Sequence, residues 1–255
     1  MMHESSKISY SNEESIIARK EIFDSLKEYD ATDEETERSL GLFLKSSLLA
    51  RIFAIQEIYK LILGKPGVIL DIGTWRGQTA VLCENLRAIY EPFNLTRRIV
   101  AFDTFEGYLG FGAKDKPTKI HAEGTYKIES SDYDLFLMNL LQLHEKSNVL
   151  GNNFGKHLVV KGDTRSTIPN FFTAHPNNFV SLAFLDVNSF ETTKSAIQDV
   201  WPKLIPGGYL AIWQLTRDVV PAEGNFYANN FLNEYKHEIS YSSLYPGLCL
   251  IRKIT

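Results

Sequence analysis

The chain has 255 residues, 44% apolar, 23% charged and 12% aromatic, with a net charge of −4 at neutral pH. That length predicts one large domain, or one domain with an appendage, that buries a sufficient core without disulfide or metal staples. The slight acidic balance excludes an electrostatic footprint for nucleic acid, and the ordinary composition excludes collagen-like, low-complexity and wholly disordered chains. Cys83 and Cys249 stand in unrelated contexts, which argues against a zinc site or disulfide framework and for a reducing, cytoplasmic compartment. Residues 1–15 lack the apolar core of a signal peptide. The stretch 40–63 carries Lys45, Arg51, Gln56, Glu57 and Lys60, too many polar groups for a membrane span.

Residues 1–38 are charged, with an acidic run at 33–37, and read as an arm or short helices ahead of a main domain over 39–255. From 39 to 63 the apolar residues recur at helical spacing, predicting one helix ended by Gly64 and Pro66. The period then changes. VILDIG (68–73) is a short buried run stopping at glycine, followed by a helical stretch over 77–90. RIVAFD (98–103), HLVVKGD (157–163), SLAFLDV (181–187) and GYLAIWQ (208–214) are further runs of the same kind. A helix over 192–204, closed by Pro206, Gly207 and Gly208, lies between the last two. HEISYS (237–242) and GLCLIRK (247–253) flank a turn and predict an antiparallel hairpin.

Apolar strands alternating with helices predict an α/β fold with a mostly parallel sheet covered on both faces. Seven strands with a C-terminal antiparallel hairpin are the plan of the Rossmann-like class I methyltransferase fold. Residues 108–156 form a long insertion, glycine-rich and polar at first and helical at DYDLFLMNLLQLHEK. Placed after the second strand, it predicts a lid and substrate-pocket wall.

Asp71-Ile72-Gly73-Thr74-Trp75-Arg76-Gly77 follows the first strand and opens a helix. Glycines let the backbone approach a ligand closely, and the helix start offers free N–H groups. Trp75 stands where the dinucleotide fingerprint needs its middle glycine, so that motif is not met. The acid-x-Gly-xxx-Gly form used around the amino-acid end of S-adenosylmethionine is met. Asp103, ending the second strand, is placed to accept the ribose hydroxyls. Asp163, with Thr164 beside it, is placed either to bind the adenine amine or to cap the next helix. Asp186, ending the fourth run, is placed to face the sulfonium and the acceptor. Among the histidines His144, in LLQLHEK, is the best candidate base; His121 and His157 are weaker ones.

LRAIYEPFNLTRRIVAFDTFEGY, VVKGDTRSTIPNFF and FLDVNSFETTKSAI with LIPGGYLAI resemble the macrocin O-methyltransferase (TylF-like) family, nearest its sugar O-methyltransferase branch. The resemblance runs from about residue 40 to the C-terminus. It implies S-adenosylmethionine as donor, a sugar or nucleotide-sugar hydroxyl as acceptor, and a homo-oligomer. It places cofactor contacts on Asp71, Gly73, Gly77, Asp103, Thr104, Phe105, Asp163 and Asp186. The loop and its helix start add Thr74, Trp75, Gln78 and Thr79, and the third strand's end adds Thr164.

One departure from the family pattern bears on mechanism. The family's acids after the fifth strand, which join the acid matching Asp186 around a divalent cation, are here Trp213 and Gln214. Asn188 also stands where an acid is common. A hard cation wants several oxygens, usually carboxylates, so no metal site is predicted, with Asp218 the one residue placed to rescue a ligand. Asp186 or His144 is then the expected base, and Tyr108, Phe111, Tyr126, Phe226 and Tyr227 could line either a sugar pocket or the core. Methylation of a nitrogen or carboxylate, and a non-catalytic cofactor-binding subunit, are the alternative functions.

Overall fold

A computed structural model describes residues 12–115, 121–148, 154–215, 222–245 and 247–255. The chain forms two compact units, one up to Phe53 and one from Ala54 to Thr255. In the first, helix α1 (Glu13–Lys27) starts from an Asn12 cap, and α2 (Asp33–Ser39) starts from a Thr32–Glu35 capping box.

The continuous helix expected over 39–63 is interrupted. A single 3-10 turn covers Leu40–Phe43, Leu44 is extended, and α3 runs over Ser46–Lys60. Gly41 sits in this stretch, and glycine disfavours helix; apolar spacing alone does not register that cost. Among the described residues no single helix is long and apolar enough to cross a membrane.

The second unit is built on a seven-stranded sheet: β1 (Val68–Ile72), β2 (Ile99–Asp103), β3 (Leu158–Lys161), β4 (Val180–Leu185), β5 (Leu204–Trp213), β6 (His237–Tyr241) and β7 (Leu248–Lys253). The spatial order is β3-β2-β1-β4-β5-β7-β6. All pairings from β3 through β5 are parallel, whereas β7 runs antiparallel to both β5 and β6. The expected hairpin is present, and it enters the sheet through its second strand.

Successive side chains of a strand face opposite sides, so each buried run feeds two cores. Leu70, Ile72, Val100 and Phe102 join Ile168 of α6 (Thr164–Ala174) and Ile197 of α7 (Phe190–Val200) on one face. Ile69, Ile99, Ala101 and Phe184 join Ile55 and Ile58 of α3, Cys83 of α4 (Gln78–Tyr90) and Leu141 of α5 (Tyr133–Asn148) on the other.

Pro206, Gly207 and Gly208 do not close a helix, as their turn chemistry implies. α7 ends at Val200, a 3-10 turn covers Trp201–Lys203, and the three residues lie inside β5. There they form a bulge: Val180 pairs with Leu204 but Leu182 with Tyr209. Cys83 and Cys249 are buried and form no disulfide.

Candidate active site

The order β3-β2-β1-β4-β5 reverses direction of travel at β1, which opens a crevice beyond the C-terminal ends of β1 and β4. Backbone hydrogen bonds tie these ends into one rim. Gly73 and Thr74 donate to Phe102 O at 2.9 and 3.1 Å, Gly162 donates to Asp103 O at 2.9 Å, and Asp186 donates to Ile72 O at 3.0 Å. Trp75, Phe105, Asn188 and Gln214, each just past a strand, all have positive φ. Left-handed backbone at non-glycine residues is costly and concentrates at functional loops.

Gly73 is required by its surroundings: with φ +79, a Cβ there would lie 2.2 Å from the Asp186 carbonyl oxygen. Asp71 sits behind this turn, on the α4 side of the sheet. Its Oδ2 accepts from Thr74 Oγ1 and from Ala80 N, at 3.1 Å for the latter. The Asp71 carboxylate therefore shapes the loop and pins it to the helix start, a positioning role in addition to the expected contact with ligand. Gly77 caps α4 in the left-handed region, with Gln78 and Thr79 in the first turn; Thr79 is buried.

Asp103 bridges two loops. Its Oδ2 accepts from Trp75 N and its Oδ1 from Phe105 N, both at 2.7 Å. Burial pushes its pKa up against the lowering effect of these backbone donors. Thr104 folds its own loop, donating through Oγ1 to Gly107 O at 2.9 Å. The Phe105 ring is buried in the core against Tyr133, so only its backbone borders the crevice.

Asp163 takes the capping alternative. Its side chain caps α6 by accepting from Arg165 N, and it pairs with the Arg165 guanidinium at 2.5 Å. Those hydrogen bonds hold its carboxyl below the ordinary value. Beside it, Thr164 Oγ1 is buried without a hydrogen-bond partner among the described residues. A buried hydroxyl left unpaired is costly unless a ligand or water meets it.

Over the β4 end, Asn188 Nδ2 donates to Asp186 Oδ1 at 3.2 Å and to Tyr108 Oη at 2.5 Å. Asn188 N donates to Glu223 Oε1 at 2.7 Å; Glu223 lies in the short helix α8 (Ala222–Phe226) and is fully buried. Burial, with Asp186 and Asp115 nearby, pushes the Glu223 carboxyl up to about 8. Asp115 belongs to the insertion and accepts from Phe190 N at 2.8 Å, supplying α7 with the N-terminal acceptor that Ser189 does not provide.

The insertion lies against this rim. Tyr108 N donates to Thr125 O, Gly124 N to Tyr108 O, and Ile128 N to Phe105 O. Tyr108 contacts Phe111, His121 and Tyr126, and Tyr126 contacts Trp75 edge-on. Burial and the Asp186 charge push the Tyr108 hydroxyl well up.

Of the aromatic candidates, Tyr108, Phe111 and Tyr126 thus gather near Asp186, joined by His121 and Trp75. Phe226 packs in the core against Phe190, and Tyr227 against Phe231 and His237. His144 is not brought to the site. α5 starts beside the glycine loop, where Tyr133 Oη donates to Arg76 O, and ends where Asn148 meets Glu84 and Asn85. His144 is therefore about 16 Å along the axis from the first residue of α5, leading away from the rim. His157 is likewise a structural residue, accepting from Ile99 N and meeting Glu84. Sequence reasoning missed Glu223 and Asp115; Glu223 stands between alanine and glycine and Asp115 between two lysines, each in a segment without periodicity.

The residues fit S-adenosylmethionine: a glycine turn that leaves no room for a side chain, a half-buried strand-end acid on β2, and the unpaired Thr164 hydroxyl after β3. A divalent cation fits poorly. Trp213 is buried against Tyr245, and Asn188 turns its amide N–H groups toward Asp186. Among the described residues no group of three His, Cys, Asp or Glu is arranged to hold a metal. Asp218 lies outside the described residues. A separate cleft of about 290 Å³, lined by Gly67, Thr96, Arg97 and Phe179 among others, lies at the opposite, N-terminal ends of the strands.

Strand order, antiparallel β7 and the loop arrangement together define a class I methyltransferase fold. The chain belongs to the macrocin O-methyltransferase (TylF) family, whose model matches residues 50–245. It is 26% identical over 161 residues to the 8-demethyl-8-(2,3-dimethoxy-alpha-L-rhamnosyl)-tetracenomycin-C 4'-O-methyltransferase of Streptomyces olivaceus, covering 58% of this chain and 53% of that protein. The chain thus spans about half the length of this curated relative. Crystal structures of the calicheamicin methyltransferase CalS11 are similar throughout. One has a TM-score of 0.88 at 26% identity over 95% of this chain and 94% of that one. An apo structure, described as a TDP-rhamnose 3'-O-methyltransferase, has a TM-score of 0.80 at 24% identity over 95% and 96%.

Proposed function

We propose that this protein transfers a methyl group from S-adenosylmethionine to a hydroxyl of a sugar or nucleotide-sugar, with Asp186 as the base and without a divalent cation. The observation that carries the reading is the position of Asp186: its backbone closes the glycine turn at Gly73, while its side chain lies among Asn188 and the Tyr108 cluster. Family membership and the sugar acceptors named for the tetracenomycin enzyme and CalS11 support the acceptor class.

The loop 73–79, Asp103 and Thr164 would hold the cofactor, which when bound supplies an already activated, electrophilic methyl group on a sulfonium. What remains for the chain is positioning and removal of one proton. With the cofactor bound, an Asp186 carboxylate oxygen would take the acceptor hydroxyl's proton. The methyl carbon would pass to the acceptor oxygen, and the electron pair of the broken sulfur–carbon bond would stay on sulfur, which leaves as the neutral thioether. The Tyr108, His121 and Tyr126 rings beside Asp186 narrow the space for this exchange. Two buried cysteines outside any disulfide accord with a cytoplasmic location.

The test is methyl transfer from labelled S-adenosylmethionine to a panel of free and nucleotide-linked deoxysugars, TDP-rhamnose first, with product mass and methylated atom determined. Incorporation into a sugar hydroxyl supports the reading. Cofactor binding with no product from any sugar, or methylation of nitrogen or carboxylate instead, overturns it.

A further inference from the structure

Asn188 combines three features that a turn residue does not need. It is fully buried, it holds φ +54, and its amide is shared between an acid and a phenol. We propose that Asn188, locked by Glu223, is the positioning residue of this site: its amide bridges Asp186 and Tyr108, fixing the carboxylate by hydrogen bonds.

The orientation of the amide follows from its neighbours. Asp186 offers only acceptor oxygens, so Nδ2 must face it; the flipped amide would set oxygen against oxygen. The second Nδ2 proton then goes to Tyr108 Oη. Tyr108 spends a lone pair on this bond and keeps its own proton. That proton has no acceptor among the described residues and is available to an acceptor oxygen brought to Asp186. The Tyr108 ring is held in place by His121 and Tyr126.

Glu223 completes the arrangement from the far side. Its Oε1 takes the Asn188 backbone N–H, which fixes the residue in a conformation that asparagine tolerates but does not prefer. α8 follows β5 in the chain, so the segment after β5 contributes to fixing Asp186. It does so through a hydrogen-bond relay of Glu223, Asn188 and Asp186.

This proposal rests on the reading of Asp186 as the base, and the test separates the two. Three variants are compared with wild type on TDP-rhamnose and the deoxysugar panel, with S-adenosylhomocysteine affinity measured alongside: Glu223→Leu, Glu223→Gln and Tyr108→Phe. Loss of the Glu223 acceptor is expected to lower kcat by about tenfold or more. Cofactor affinity stays within about twofold, because that site is untouched. Glu223→Gln keeps an oxygen toward Asn188 N–H and recovers most of the loss. Tyr108→Phe, which removes only a hydroxyl, lowers kcat/KM for the acceptor by about fivefold or more. Should wild type turn over while Glu223→Leu and Tyr108→Phe match it, the relay is wrong and the base assignment survives. A wild type that binds cofactor but methylates no sugar removes the functional reading, and the relay with it.

Discussion

The carbonyl oxygen of Asp186 occupies the space in which a side chain on Gly73 would begin, 2.2 Å from the ideal Cβ position. The candidate cofactor loop after β1 and the candidate base after β4 are therefore packed directly against each other. Gly73→Ala adds both this clash and the cost of a left-handed alanine. It is expected to destabilise the protein by about 2–4 kcal/mol. The melting temperature falls by about 5–12 °C, and calorimetry finds S-adenosylhomocysteine binding lost.

Asp103 holds the same loop from the other side through Trp75 N, and Phe105 N with its second oxygen. Asp103→Asn keeps the size but replaces one acceptor oxygen with a donor. Cofactor affinity is expected to fall by about tenfold to a hundredfold, and the melting temperature of the free protein by a few degrees, because one backbone N–H loses its acceptor. A variant that binds cofactor as tightly as wild type would remove Asp103 from the binding site.

For Asp186→Asn the expectation is a split result. General-base catalysis contributes about a hundredfold or more, so kcat falls by that order while cofactor affinity is retained. Excess chelator is expected to leave wild-type turnover unchanged, since Asn188 turns an amide N–H rather than an oxygen toward Asp186. Turnover abolished by chelator and restored by magnesium would contradict this.

Away from the site, Glu84 anchors α4 to β3. It is fully buried; burial raises its pKa, but hydrogen bonds from Arg87 and His157 outweigh that and hold it at about 2, against an ordinary 4.5. A depressed carboxylate stabilises the fold above the unfolded value and loses that contribution as pH falls from about 4.5 toward 2. The loss is on the order of 3 kcal/mol. Urea midpoints measured from pH 7 down to 3 are expected to show this decline in wild type. Glu84→Gln starts less stable at pH 7, because Arg87 is left buried and unpaired, and shows a flatter acid profile.

The sheet was legible because its parallel strands are short apolar runs bounded by glycine or an acid, and the hairpin because HEISYS and GLCLIRK flank a turn. Asp103 and Asp186 were legible for the same reason, as polar residues ending apolar runs. Other features depend on three-dimensional context that spacing does not carry. Pro206-Gly207-Gly208 has the chemistry of a turn, yet the β4 partner accommodates it as a bulge. His144 has the chemistry of a base, but the direction of α5 leads it away from the rim. Asp163 was ambiguous between ligand and cap, and the Arg165 guanidinium two residues on favours the cap. Glu223 was hidden because a five-residue helix has too few residues to show a period.

The measurement that bears most directly on the central claim is a calorimetric titration of S-adenosylhomocysteine into the protein in excess chelator. Micromolar binding of one molecule per chain, unchanged by added magnesium and weakened by Asp103→Asn, is the predicted result. Absence of binding with and without magnesium would mean that Gly73 and Gly77 form only a tight turn, and the methyltransferase reading would be contradicted.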